Sequence, residues 1–339
     1  MKQVTYRGPE QITVDEWISP ELPANYVAVK VAYVGVCGTD LHLYAGHMDS
    51  RVTTPHVPGH EMSGVVARTG AGVSEWKIGE KVTVRPLLPC KNCRTCNEGN
   101  SHICPKLKFI GVDLGGAMQP EWIVPAELLH RIPEQITLRQ GALIEPLAVA
   151  IHDVRMADLD PTDVITIVGA GPIGLLIGIV CVSRGHKTFI TDIDQTRLDV
   201  AKSHGMIPVA PDKVEAAARE ATNGLGTDVV FEVSGSAGGA TLISTIVKPR
   251  GKIIVVGIHA ELRQFNLQQI FHKEVTMQGA RVYKSIDFDD AIAFLATRTK
   301  ELEPLITKVF PVEDALEAYL SLTRGGSIKN LIAISEPAI

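Results

Sequence analysis

The chain has 339 residues, 45% of them hydrophobic and 21% charged, and its 33 Lys and Arg against 38 Asp and Glu give a formal net charge of −5. At roughly 150 residues per domain, that length suits about two domains with a large core. No run of basic residues stands out, which argues against nucleic acid or an anionic membrane as a partner. Thirty Gly and only 5% aromatic residues suit an α/β fold with many tight strand-to-helix turns better than a base-stacking surface.

From Met1 to about Ala150 the pattern is short apolar runs broken by Gly and Pro, such as Val27 to Val36 and Gly64 to Ala67, with no long amphipathic helix, so this half reads as mostly β. The N-terminal segment Met1 to Pro20 carries charges throughout and lacks an apolar core, so a secretory signal is not expected and the compartment is expected to be the reducing cytoplasm. Clustered thiols in such a compartment suggest metal rather than disulfides.

Cys90, Cys93, Cys96 and Cys104 are spaced to reach one centre, and four thiolates in a tetrahedron are a common structural zinc shell. A competing reading is an iron-sulfur site, since the two-residue spacings and Pro105 after the fourth Cys match part of a ferredoxin run. The seven residues between Cys96 and Cys104 do not fit that run. A closed four-sulfur shell leaves no open position for substrate, so chemistry has to be sought elsewhere.

After Leu159-Asp160-Pro161 the pattern changes to strand and helix in alternation: strands at Val164 to Val168, Thr188 to Thr191, Asp228 to Glu232 and Lys252 to Val256, with helices at Ile173 to Arg184, Gln195 to His204 and near Ala240 to Val247. This is a βαβ pattern with strands of the kind buried in a doubly wound parallel sheet. The unit ends near Met277 to Arg281; Asp287 to Thr297 and Val312 to Leu322 follow as amphipathic helices and Leu331 to Ile334 as a last strand. Ile165 to Val182 is eighteen residues without a charge, long enough to consider a membrane span. Its five helix-breaking Gly and Pro residues favour a buried strand, turn and helix.

That segment contains Gly169-Ala170-Gly171-Pro172-Ile173-Gly174, a G-x-G-x-x-G between strand and helix. The first Gly permits the tight turn, the second lets backbone approach a pyrophosphate, and the third lets helix and strand pack closely. The helix N-terminus offers free N–H groups to the phosphates. Asp192 lies eighteen residues after Gly174, where a carboxylate accepts hydrogen bonds from the adenosine ribose diol and disfavours a 2′-phosphate. The pattern therefore predicts NAD over NADP, with Arg197 beside the adenine or ribose; Asp194 is a second candidate for the ribose role.

Cys37-Gly38-Thr39-Asp40-Leu41-His42 and Gly59-His60-Glu61 put a thiol, imidazoles and carboxylates on two Gly-flanked segments. Alone, a buried thiol and a core histidine would account for Cys37 and His60. Taken in order with the thiol cluster, Glu145-Pro146 and the fingerprint at 169–174, the segments resemble the zinc-dependent medium-chain dehydrogenase family over almost the whole chain. The resemblance is nearer to the sorbitol and polyol dehydrogenases, with the related threonine dehydrogenases, because Glu145 stands where liver-type alcohol dehydrogenases carry a second cysteine ligand.

The resemblance implies a GroES-like β-rich catalytic domain from 1–150 plus 290–339, and a Rossmann NAD-binding domain at 151–289, with substrate and nicotinamide meeting between them. It implies two Zn2+ per chain: a structural ion on the four thiols, and a catalytic ion on Cys37, His60 and Glu61, with Glu145 bound directly or through the metal's water. Adjacent residues on an extended strand point to opposite faces, so His60 and Glu61 can share a metal only if the backbone turns at Gly59. The implied chemistry is hydride transfer from a secondary alcohol to NAD, helped by a Lewis acid that lowers the alcohol's pKa. Thr39 and His42 would relay the proton to solvent.

Val256-Gly257-Ile258 would line the nicotinamide pocket and Ala280-Arg281 would close over the cofactor, although ordinary sheet-edge packing also accounts for both. Asp40, His47 and His56 read as solvated or structural, and Cys181 as core. A histidine that threonine dehydrogenases carry before the thiol cluster is missing, which favours a polyol, a sugar acid or a sugar phosphate. Arg85 would approach the catalytic cleft and hold an anionic substrate, or else pair with a surface carboxylate. The alternatives are a threonine-type dehydrogenase and an inactive zinc- and NAD-binding regulatory protein. The family implies a homotetramer or dimer.

Overall fold

A computed structural model describes residues 1–335, so the last four residues of the 290–339 segment lie outside the described residues. The chain divides into two compact units, Met1–Glu145 with Lys284–Ile339, and Pro146–Tyr283.

The first unit is built on a seven-stranded sheet ordered Ile306–Pro311, Lys329–Ala333, Tyr26–Gly35, Glu61–Thr69, Lys81–Val84 and Leu129–Arg131, with Glu121–Pro125 also pairing Tyr26–Gly35. Tyr26–Gly35 is the hub: antiparallel partners take up its backbone groups along its length, and its valines are buried on both faces. Val29, Val31, Val34, Met62, Trp122 and Tyr319 belong to one apolar core. Two register pairs in this sheet position the chemistry. Gly35 lies opposite both Glu61 and Leu331, so Cys37, His60 and Lys329, each two residues or fewer from this point, arrive together.

The second unit is a parallel sheet ordered Ile207–Pro208, Thr188–Thr191, Ile165–Val168, Thr227–Glu232, Val247–Val255 and Thr276–Gly279. In chain order this is 3-2-1-4-5-6, the doubly wound dinucleotide-binding order, whose ligand crevice lies at the carboxyl ends of the strands beside Ile165–Val168. The charge-free stretch resolves into the strand Ile165–Val168 and the helix Pro172–Ser183. Among the described residues no helix is long and apolar enough to cross a membrane.

Two elements depart from the sequence reading. Ile144–Ala157 is a 14-residue helix where no long helix was expected; it is buried nearly all round, so it shows no apolar stripe against a polar face. Thr276–Gly279 is exposed at every residue, unlike the buried inner strands, because it forms one edge of its sheet.

Candidate functional site

Cys37 leaves the hub strand and caps the helix Gly38–Tyr44. Its N–H donates to the Asp40 carboxylate at 2.8 Å, which satisfies a free donor at the helix start. Gly59 has φ +97°, and a Cβ there would lie 2.7 Å from Met118 Cγ, so only Gly fits this turn. The strand begins at Glu61, which leaves His60 in the turn. The alternation that would separate His60 from Glu61 therefore does not apply. Cys37, His60 and Glu61 each present a ligand atom, all within 4.8 Å of one another.

His60 is 2% exposed, and its Nδ1 stands 3.9 Å from Asp40 Oδ1; both atoms are buried without a hydrogen-bond partner. Burial works against a charge on this imidazole, yet the Asp40 carboxylate, then Cys37 and Glu145, outweigh it and raise His60 to about 10. The site thus attracts positive charge. A thiol, an imidazole with a carboxylate 3.9 Å from its Nδ1 and further carboxylates are a donor set that fits zinc. Asp40 is 1% exposed, so of the two roles left open for it the structural one holds.

Glu61 lies at the site, but both its oxygens accept from Lys329 Nζ, at 2.8 and 2.6 Å. Burial opposes the Lys329 charge, while Glu61 first, then Cys37 and Glu145, raise its pKa above the ordinary value. Glu61 as a ligand therefore competes with a buried ammonium. Lys329 gave no signal in the sequence beyond being a lysine at the start of an apolar strand. Glu145 is 4% exposed in the first turn of Ile144–Ala157, close enough for its charge to act on His60 and Lys329.

Thr39 and His42 stand three residues apart on the helix Gly38–Tyr44, a spacing that puts them on one face. Burial, then the charge of His47, lowers the pKa of His42. His56 is buried, with Nε2 3.2 Å from the Gly111 carbonyl oxygen, which is a structural role.

In the second cluster Cys93 and Cys96 sulfurs are 3.5 Å apart, Cys90 and Cys104 3.5 Å, and Cys93 and Cys104 3.8 Å. Zn–S bonds of ~2.3 Å at tetrahedral angles put sulfurs ~3.8 Å apart. An iron-sulfur cluster would interpose several iron atoms and hold its ligand sulfurs farther apart. Arg85 lines a cavity of about 250 Å³ with Lys91, Cys96, Glu127 and Ser285. Its Nε is buried without a hydrogen-bond partner, and its charge acts on His130. The structure shows no carboxylate paired with the Arg85 Nε.

In the second unit Gly169 has φ +109°. A Cβ on Gly174 would lie 1.9 Å from the Gly169 carbonyl oxygen, and one on Gly171 would meet nothing. Those are a tight turn, a close helix–strand packing and an open approach. Gly171 caps the helix, with Pro172 in its first turn and Ile173 behind it. Asp192 follows Thr188–Thr191 and accepts from the N–H groups of Ala170, at 2.6 Å, and Asp194, at 2.9 Å. Asp194 instead caps Gln195–Ser203, accepting from Thr196 and Arg197. Arg197 Nη1 is 4.0 Å from Asp192. Val256-Gly257-Ile258 and Ala280-Arg281 follow the carboxyl ends of Val247–Val255 and Thr276–Gly279, and the Ala280 N–H donates to Val255. Cys181 is fully buried, and burial pushes its thiol up to about 12.

Residues 23–134 match the alcohol dehydrogenase GroES-like domain and residues 172–297 the zinc-binding dehydrogenase domain. The chain is 42% identical over 319 residues to 2-dehydro-3-deoxy-L-galactonate 5-dehydrogenase of Pseudoalteromonas atlantica, covering 94% of each protein. It is 32% identical over 335 residues to sorbitol dehydrogenase of Halalkalibacterium halodurans, covering 97% of each. Among solved structures, 2R,3R-butanediol dehydrogenase of Bacillus subtilis superposes with a TM-score of 0.89 at 29% identity, over 98% of this chain and 99% of the other. With both domain types matched and relatives aligned over nearly its full length, the chain belongs to the zinc-dependent medium-chain dehydrogenase family, among its polyol-dehydrogenase-like members.

Proposed function

We propose that the protein oxidises a secondary alcohol of a polyol, sugar acid or sugar phosphate with NAD as hydride acceptor. The observation that carries this reading is the convergence of Cys37, His60 and Glu61 on one buried point, beside a helix that presents Thr39 and His42. Cys37 and His60, with Glu61 or Glu145 completing the shell, would hold a zinc ion, which when bound would supply a Lewis acid that makes the alcohol more acidic. Thr39 takes the proton the alcohol loses and passes it to the His42 imidazole, a group suited to positioned acid–base work. Asp40 faces the His60 ring, and Lys329 neutralises Glu61 in a site that would otherwise concentrate negative charge.

Asp192 selects NAD: its carboxylate already accepts one backbone N–H on each oxygen and keeps lone pairs for a ribose diol. The four-thiol lobe holds the second zinc in a structural role. A sugar-acid dehydrogenase and a sorbitol dehydrogenase among the relatives support substrates rich in hydroxyls. Thiolate ligands also support a reducing, cytoplasmic setting.

The edge strand Thr276–Gly279 supports a homo-oligomer. It is exposed at every residue, and the short helix leading into it exposes Leu267 and Phe271 by 71% and 78%. An open edge flanked by apolar groups is satisfied by a second copy through a two-fold axis.

The test is a panel of polyols, sugar acids and sugar phosphates with NAD and with NADP, before and after metal removal. Reduction of NAD that is lost on chelation and restored by zinc supports the reading. A panel with no turnover by the zinc-loaded protein contradicts it.

A further inference from the structure

His42 has a second histidine against it. The two Nδ1 atoms are 3.2 Å apart, and the ring centroids are 5.5 Å apart with the planes tilted by 44°. A contact of that length between two ring nitrogens is a hydrogen bond, one nitrogen donating its N–H and the other accepting. The backbone builds this pairing. The helix Gly38–Tyr44 ends at Ala45, Gly46 turns at φ +78°, and the His47 N–H donates to the His42 carbonyl oxygen at 3.0 Å. A Cβ on Gly46 would lie 2.8 Å from Pro9 Cγ, so the turn that doubles the chain back requires glycine. His42 is half-buried, whereas His47 is exposed.

We propose that His47 is a second proton carrier, placed between His42 and solvent. This rests on the reading of Thr39 and His42 as the relay of the dehydrogenase reaction. In the direction of alcohol oxidation, the arriving proton bonds to His42 Nε2 while the Nδ1–H bond of that ring breaks and its proton passes to His47 Nδ1. His47 then loses its Nε2 proton to water. Each ring gains one N–H and loses one, and both end neutral with exchanged tautomers. Proton exchange with solvent resets them before the next turnover, and carbonyl reduction runs the same path backward.

The surroundings suit a group that passes a proton on rather than keeping it. Burial first, then the His47 charge, lowers the affinity of His42 for a second proton. The carboxylates on the same segment are engaged elsewhere: Asp40 with the Cys37 N–H and facing His60, Asp49 with the Tyr6 hydroxyl of the first strand at 2.6 Å.

The experiment compares zinc-loaded wild type, His42→Gln and His47→Gln on whichever substrate the panel yields, in dilute and in imidazole-rich buffer. Gln keeps a hydrogen bond to His42 but cannot pass a proton through. His47→Gln should lower kcat by about 3- to 10-fold in dilute buffer, less than the 10²–10⁴ of a primary acid–base group. KM for NAD should stay constant, the solvent isotope effect should grow, and added imidazole should restore the rate. An independent readout is the NMR titration of His42, whose pKa should rise once the His47 charge is gone. A normal rate in dilute buffer, a loss that imidazole does not restore, or an unmoved His42 titration overturns the proposal. An active wild type slowed by His42→Gln but not by His47→Gln overturns the second carrier alone. A wild type that turns over nothing overturns the dehydrogenase reading, and this inference with it.

Discussion

Lys329 sets its ammonium against both oxygens of Glu61, at 2.8 and 2.6 Å, with the two side chains 2% and 1% exposed. A buried pair of this kind is costly to break from one side, because the remaining charge has neither water nor partner. Lys329→Met should therefore cost about 3–5 kcal/mol of stability, read by denaturant unfolding of the zinc-free protein. Lys329→Met with Glu61→Gln removes both charges and should recover most of that loss. Added zinc should stabilise Lys329→Met more than wild type, because it finds Glu61 freed as a ligand.

Coenzyme choice rests on Asp192. Asp192→Ser removes the charged acceptor of the ribose diol, and hydrogen bonds to charged groups contribute about 1.5–3 kcal/mol. At about 1.4 kcal/mol per tenfold, kcat/KM with NAD should fall by about 10- to 100-fold while NADP improves. Steady-state rates with both coenzymes check this. An unchanged ratio would take Asp192 out of coenzyme recognition.

Two histidines outside the site give a pH dependence of folding. His56 and His130 are both lowered from the ordinary imidazole value of 6.5, in each case by burial first; Gly111 and Asp113 oppose this at His56, and Asp289 opposes it at His130 while Arg85 adds to it. The unfolded chain therefore binds more protons than the folded one as pH falls below about 6.5, so stability is lost in that window and is fully present above it. Urea unfolding at about pH 7.5 and about pH 5.5 should show a larger loss for wild type than for His56→Gln/His130→Gln.

The exposed edge strand predicts its own result. Met277→Lys together with Phe271→Glu places charges on the edge and on the helix before it, and should shift the protein toward monomer in sedimentation velocity. Zinc content should stay at the wild-type level, because both residues belong to the second unit, Pro146–Tyr283, and the proposed zinc ligands all belong to the first.

Much of this was legible in the sequence because steric requirements leave a mark on single residues. The glycines at 169 and 174 stand where a Cβ would strike backbone, and the spacing of Cys90, Cys93, Cys96 and Cys104 brings four sulfurs to one point. What could not be read there depends on the sheet. Lys329 and Glu61 are 268 positions apart in the chain and meet only because their strands flank Tyr26–Gly35. Asp40 could be read as either solvated or structural, and only the helix cap that takes the Cys37 N–H turns it inward to His60. His47 needed the turn at Gly46 to return to His42, a contact that helical spacing does not anticipate.

The central claim is that Cys37 and His60 hold a zinc ion distinct from the one on the four thiols. Anomalous diffraction at the zinc edge, on crystals of protein purified without added metal, tests this directly. The account predicts two peaks per chain, one within the Cys90, Cys93, Cys96 and Cys104 sulfurs and one bonded to the Cys37 sulfur and a His60 ring nitrogen. A single peak at the four thiols, in protein that still reduces NAD at full rate, would contradict it.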